Sequence, residues 1–117
     1  LINGSIRKMA FTYKVLGQSN PSSTTATTLY TVPATTSAVG STIVVCNLGA
    51  TATTFRIAIR PAGATLTSAH YINYDTPVPG NDTVSLTLGI TLAATDVLTA
   101  NANTATLSFN AFGSEIS

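Results

Sequence analysis

Few residues in this chain could carry chemistry. It has one histidine, one cysteine, three aspartates and one glutamate, and they are scattered. A nucleophilic triad needs a base, and His70 is the one conventional candidate, in a segment (TLTSAHYINY, 65–74) that reads as a strand. Packing at a surface or interface explains a strand histidine more simply than catalysis does. Asp75 and Asp82 flank a proline-rich loop, where aspartate commonly caps turns through nearby backbone; paired glycosidase-like carboxylates are the sharper alternative. Cys46 lies in an apolar run and reads as a small buried hydrophobe. No ligand set has metal-site spacing, and no glycine-rich turn opens a helix to cradle phosphate. The sequence therefore predicts no catalytic residue, no metal and no cofactor.

The cations are more suggestive. Arg56 and Arg60 fall on one face of an alternating segment and could pair with carboxylates of a partner through bidentate contacts; a solvated outer face is the plainer explanation. Arg7 and Lys8 lie in residues 1–8 (LINGSIRK), which differ in character from the rest of the chain and precede the only methionine, Met9. That octapeptide reads as an N-terminal arm that orders against a partner, or as a non-native leader, ahead of one domain over 9–117. Arg56, Arg60, Arg7 and Lys8 are thus the candidate partner contacts. Sugar binding is a further option, since sandwich modules often stack aromatic rings on sugars. There is no tryptophan, and Tyr30, Tyr71 and Tyr74 are the tyrosines that could be exposed.

The elements that position these residues are strands. The organising stretch is Ser41 to Gly63. An apolar run over Thr42 to Asn47 leads through the small-residue turn Leu48 to Ala52, short enough for a hairpin-like connection, into a period-two segment. There Phe55, Ile57 and Ile59 oppose Arg56, Ala58 and Arg60, and Pro61-Ala62-Gly63 ends it. Phe11 to Leu16, Leu29 to Val32, Thr65 to Tyr74, Thr83 to Ile90, Val97 to Ala100 and Thr104 to Phe112 complete eight strands. Asp75 to Asp82 is the strongest break, and Gly113 to Ser117 a tail. Eight short strands with turn signals between them predict an all-β, single-domain, jelly-roll-like sandwich, with a closed barrel as the alternative. The expected inner faces carry Phe11, Tyr13, Leu29, Val44, Phe55, Ile57, Ile59, Val84, Leu86, Leu88, Val97, Leu107 and Phe109.

Composition agrees. Charged residues make up 8% of the 117, against about 25% in ordinary domains. Threonine, a strand former with a stiff branched Cβ, accounts for 22. The net charge of +1 offers no footprint for nucleic acid or an anionic membrane. No apolar run reaches membrane-spanning length, and no signal-peptide pattern stands at the start. So few charges also give little repulsion between copies, so much of the surface is expected to lie against neighbours.

Three stretches, YTVPATTSAVGSTIVVCNLGATATTFRIAIRPAGATL (30–66), HYINYDTPVPGNDTVSLTLGITLAATDVL (70–98) and LSFNAFGSEI (107–116), resemble a family of small all-β virion proteins of tailed bacteriophages. The resemblance covers most of the chain from Met9 onward and rests on structural motifs: an apolar strand ending in Asn, the R-I-A strand, P-A-G, the N-D-T strand and a G-x-E ending. It implies a non-enzymatic structural protein, first of all a capsid decoration or cement protein, with a neck, tail or fibre component as the alternative. It also implies assembly in the bacterial host cytoplasm into virions. The implied partners are the major capsid protein or other virion proteins and sister copies, in a homo-oligomer such as a trimer.

Overall fold

The computed structural model describes residues 10–117. Eight strands run in order: β1 Phe11–Ser19, β2 Thr27–Thr31, β3 Ser37–Asn47, β4 Thr53–Arg60, β5 Tyr71–Val78, β6 Thr83–Leu92, β7 Val97–Ala102 and β8 Leu107–Ile116. They form two antiparallel sheets, β1-β8-β3-β6 and β2-β7-β4-β5. Every connection except β4–β5 passes from one sheet to the other. This is the jelly-roll order, a double sheet that buries both inner faces against each other.

The core is the set of inward positions. Ile43, Val45, Leu107, Phe109 and Ala111 come from the first sheet, and Phe55, Ile57, Leu98, Ala100 and Val78 from the second. Phe55 and Phe109 meet edge to face across the gap, 5.9 Å between ring centroids. Each fully buried large apolar side chain stabilises the fold by roughly 1.5–3 kcal/mol relative to exposure. On β4 the expected parity holds: Phe55 and Ile57 are buried inward, and Arg56 and Arg60 flank Ala58 on the outer face.

Several sequence expectations fail, each for a local reason. The Leu48–Ala52 connection is no hairpin, because β3 and β4 lie in different sheets. It is an arch built on Asn47, which is buried and donates from Nδ2 to the Thr51 carbonyl at 2.8 Å while its Oδ1 accepts from Gly49 N–H at 2.9 Å. Residues 65–70 are not strand; they form a loop ending in a 3-10 turn, Ser68–His70. The Asp75–Asp82 break starts late, since β5 continues to Val78. Pro77 is tolerated there because β5 is an edge strand. Gly113 to Ile116, expected as tail, extends β8 between β1 and β3.

The inner-face list also needs correction. Phe11 and Tyr13 are 57% and 84% exposed, and Leu88 is 39% exposed. On β3 the inward residues are Ile43 and Val45, leaving Val44 half-buried on the outer side with Cys46. The cause is a line of bulges across the first sheet. Register shifts at Val15/Gly17 on β1 and Gly40/Thr42 on β3, and Leu88 and Gly89 together oppose Ser41. Gly89 takes a φ of 60°, open to glycine without strain, and this turns Leu88 out of the alternation.

Candidate functional site

On the first sheet's outer face, Val15, Phe112 and Thr42 stand abreast on β1, β8 and β3, and Tyr13, Ser114 and Val39 form the next row. Between the rows runs an open groove of about 510 Å³, lined by Tyr13, Val15, Val39 and Phe112 among others. From Phe11 to Val15, β1 is exposed on both faces, and among the described residues it is also the edge of its sheet. An edge strand presents unpaired N–H and C=O groups. Here those groups adjoin three exposed apolar side chains, Phe11, Tyr13 and Val15. The one charge on the stretch, Lys14, donates to Glu115 Oε1 at 3.2 Å.

Glu115 also joins the two sheets. The buried Tyr30 of β2 donates its hydroxyl to Glu115 Oε2 at 2.5 Å. Burial, and then the hydrogen bond to the carboxylate, push the Tyr30 phenol well above its ordinary range. The same bond, helped by Lys14 and opposed by desolvation, holds Glu115 below the usual carboxylate range.

The second sheet's outer face is polar, and its arginines are engaged within the chain. One β4 residue, Arg56, opposes two on β5, Tyr74 and Asp75, because Asp75 sits at a φ of 51° in a bulge. The bulge aims both side chains at one guanidinium. Arg56 Nε donates to Asp75 Oδ1 at 2.7 Å, and the guanidinium carbon lies 3.9 Å from the Tyr74 ring centroid. The hydrogen bond from Arg56 holds Asp75 below the carboxylate range, and the same bond raises Arg56. Tyr71 packs edge to face on Tyr74, 5.0 Å between centroids. Arg60 donates to Thr99 Oγ1 at 3.1 Å and to the carbonyls of Gly63 and Ala64, and so ties down the Pro61–Ala64 turn.

The structure thus places Arg56 and Arg60 on one face, as the spacing predicts, but each is engaged within the chain. Arg7 and Lys8 lie outside the described residues. His70 serves its own turn: its Nδ1 accepts the Thr67 N–H at 3.1 Å. Asp82 accepts from the Thr83 N–H, and Asp96 from the N–H groups of Ala62 and Ala93. Among the described residues, no three His, Cys, Asp or Glu side chains gather where they could hold a metal ion. Of the tyrosines, Tyr30 is buried, Tyr71 half-buried and Tyr74 58% exposed. Sequence reasoning missed the exposed Phe11–Val15 face because an apolar period-two strand looks the same whether its second layer is its own sheet or another molecule.

The fold defines the class as a single jelly-roll sandwich. Comparison with protein-family models, with curated proteins and with solved structures finds no match.

Proposed function

We propose that this chain is a non-enzymatic structural protein of a tailed bacteriophage virion, a capsid decoration or cement protein that binds the major capsid protein and its own copies. The observation that carries the reading is the Phe11–Val15 half of β1, open on both faces, apolar on one, and at a sheet edge. Such an edge invites added strands and is normally blunted or covered. Its covering on this reading is a neighbouring protein subunit, which supplies ladder hydrogen bonds and buries Phe11, Tyr13, Val15 and Phe112. The ion pairs support the same reading. Lys14 and Arg56 are spent within the chain, so contact relies on apolar area and backbone pairing. Modest individual contacts suffice for cement, because many copies act together across a shell.

The test is copy number per virion, by quantitative mass spectrometry against the major capsid protein. A simple fraction of the capsid count supports cement. A few copies to a few tens of copies would move the protein to neck, tail or fibres. Absence from particles would overturn the virion reading.

A further inference from the structure

The opposite face, away from the apolar strand, holds a second feature that the structural role does not use. A cavity of about 100 Å³ opens on the outer side of the second sheet, lined by Thr24, Thr54, Arg56, Asp75, Asn101 and Asn103, together with Phe55. Four segments of backbone build it. Arg56 of β4 and Asn101 of β7 lie abreast. The β5 bulge sets Asp75 beside them. On the far side Thr24, at a φ of 55°, is held by its N–H to the Ala102 carbonyl at 2.7 Å, and Asn103 by its N–H to the Thr54 carbonyl at 2.9 Å.

The chemistry of this lining is specific. Asn101 and Asn103 each offer two amide donors and one carbonyl acceptor, and among the described residues their side chains have no hydrogen-bond partner. Asp75 keeps free lone pairs beyond those that Arg56 uses, and the Arg56–Asp75 pair cancels in charge. Thr24 and Thr54 bring two hydroxyls to the lining. Tyr74 is outside the lining: the Arg56 guanidinium lies over its ring, 3.9 Å from the centroid.

A charge-neutral cluster of closely spaced donors and acceptors matches a ligand that is uncharged and carries adjacent hydroxyls. An anion would meet an arginine already neutralised. A cation would find one carboxylate where several are needed. A peptide pairs with a sheet edge and seats side chains in apolar pockets, whereas this site lies on a sheet face and is mostly polar. The volume is well below the roughly 300–1,000 Å³ of sites for drug-sized ligands, so it fits part of one sugar ring.

We propose that this cavity is a binding site for a neutral saccharide, with the adjacent hydroxyls of one pyranose ring held between the Asp75 carboxylate and the Asn101 and Asn103 amides. The assignment stands apart from the cement reading, and either can fail alone.

The test is a backbone-amide NMR titration of the full chain with glucose, galactose, mannose and N-acetylglucosamine. At least one sugar is expected to shift the amides of Thr24, Thr54 to Arg56, Tyr74, Asp75 and Asn101 to Asn103, with half-saturation on the order of 1–10 mM, the affinity expected for a small ligand in a shallow site. Asn101→Ala should weaken that binding about tenfold, the value of a lost hydrogen bond, while the spectrum elsewhere is retained. Asp75→Asn is the second variant should Asn101→Ala not fold. No shift at these residues with any of the four sugars at about 100 mM, ten or more times the expected half-saturation, would overturn the proposal. So would binding unchanged in a folded variant, or tighter binding of glucuronate than of glucose.

Discussion

The outer faces of the two sheets come from the same chain, short of charge and rich in threonine, yet they end in opposite states. On the second sheet, Arg56, Asp75, Tyr74, Arg60 and Thr99 are bonded or packed on one another. Even Ala58 is buried there, between the two arginines. On the first sheet the aromatic side chains of Phe11, Tyr13 and Phe112 are exposed, and among the described residues no second layer covers them. The difference teaches that a polar face can be completed by its own side chains, one residue against the next. An apolar face cannot, because its stabilisation comes from removing area from water, which needs another surface.

The contrast can be broken hardest at Gly113, in the middle of the apolar face. A Cβ there would lie 2.0 Å from the Val39 carbonyl oxygen. Gly113→Ala should force β8 from β3 and cost about 3 kcal/mol or more in urea denaturation. Next comes the face itself. Tyr13→Asp with Phe112→Asp changes two side chains outside the core, so the fold should be kept, with a modestly lower melting temperature because Phe112 is only 37% exposed. Association with capsids or sister copies should fall at least about tenfold, since a carboxylate cannot be buried there unpaired; undiminished binding in a sedimentation assay would show that this face is not the contact.

A third variant probes what holds the faces in place. Tyr30→Phe removes the inter-sheet bond to Glu115 and should cost about 1.5 kcal/mol, the low end for a bond to a charged acceptor. It should also alter the pH profile. Glu115 titrates lower in the fold than unfolded, so its contribution is present above the unfolded value near about 4.3 and is lost as pH falls through the depressed one. Tyr30 titrates higher in the fold, so its contribution is present below about 10 and is lost as pH rises through the raised value. The variant should flatten both limbs of stability against pH. The smallest effect belongs to the polar face. Arg56→Lys keeps the charge but loses the fork on Asp75 and the flat contact with Tyr74. Its melting temperature should fall less than that of Tyr30→Phe, and the deficit should shrink in high salt.

The sequence made the strand count and the class legible, because turn residues and period two are local signals. Phe55, Ile57, Arg56 and Arg60 were assigned to their faces correctly for that reason. What it hid depends on tertiary partners. The inward side of β1 is marked by Leu16, but the aromatic side looked more core-like. Leu88 left the core only because Gly89 could take a positive φ opposite Ser41. Asn47 read as the end of a strand, whereas its amide organises an arch between sheets. Within the candidate sites, the Arg56 face was readable from spacing. Asp75 looked like a turn cap, and nothing local said that a bulge would turn it onto Arg56. Asn101 and Asn103 fall in the gap between the expected strands Val97 to Ala100 and Thr104 to Phe112, and their place beside Arg56 depends on the pairing of β7 with β4.

The position of β8 between β1 and β3 bears on how the protein is made. Among the described residues β1 pairs in its own sheet with β8 alone, and 96 residues separate the start of β1 at Phe11 from the start of β8 at Leu107. At 5–20 residues per second, a ribosome takes roughly 5–20 s to cover that distance. Throughout that interval the nascent chain carries Phe11, Tyr13 and Val15 on a strand whose sheet neighbour does not yet exist. The first sheet closes only after translation has passed β8, so on a crowded polysome neighbouring nascent chains compete for the same edge.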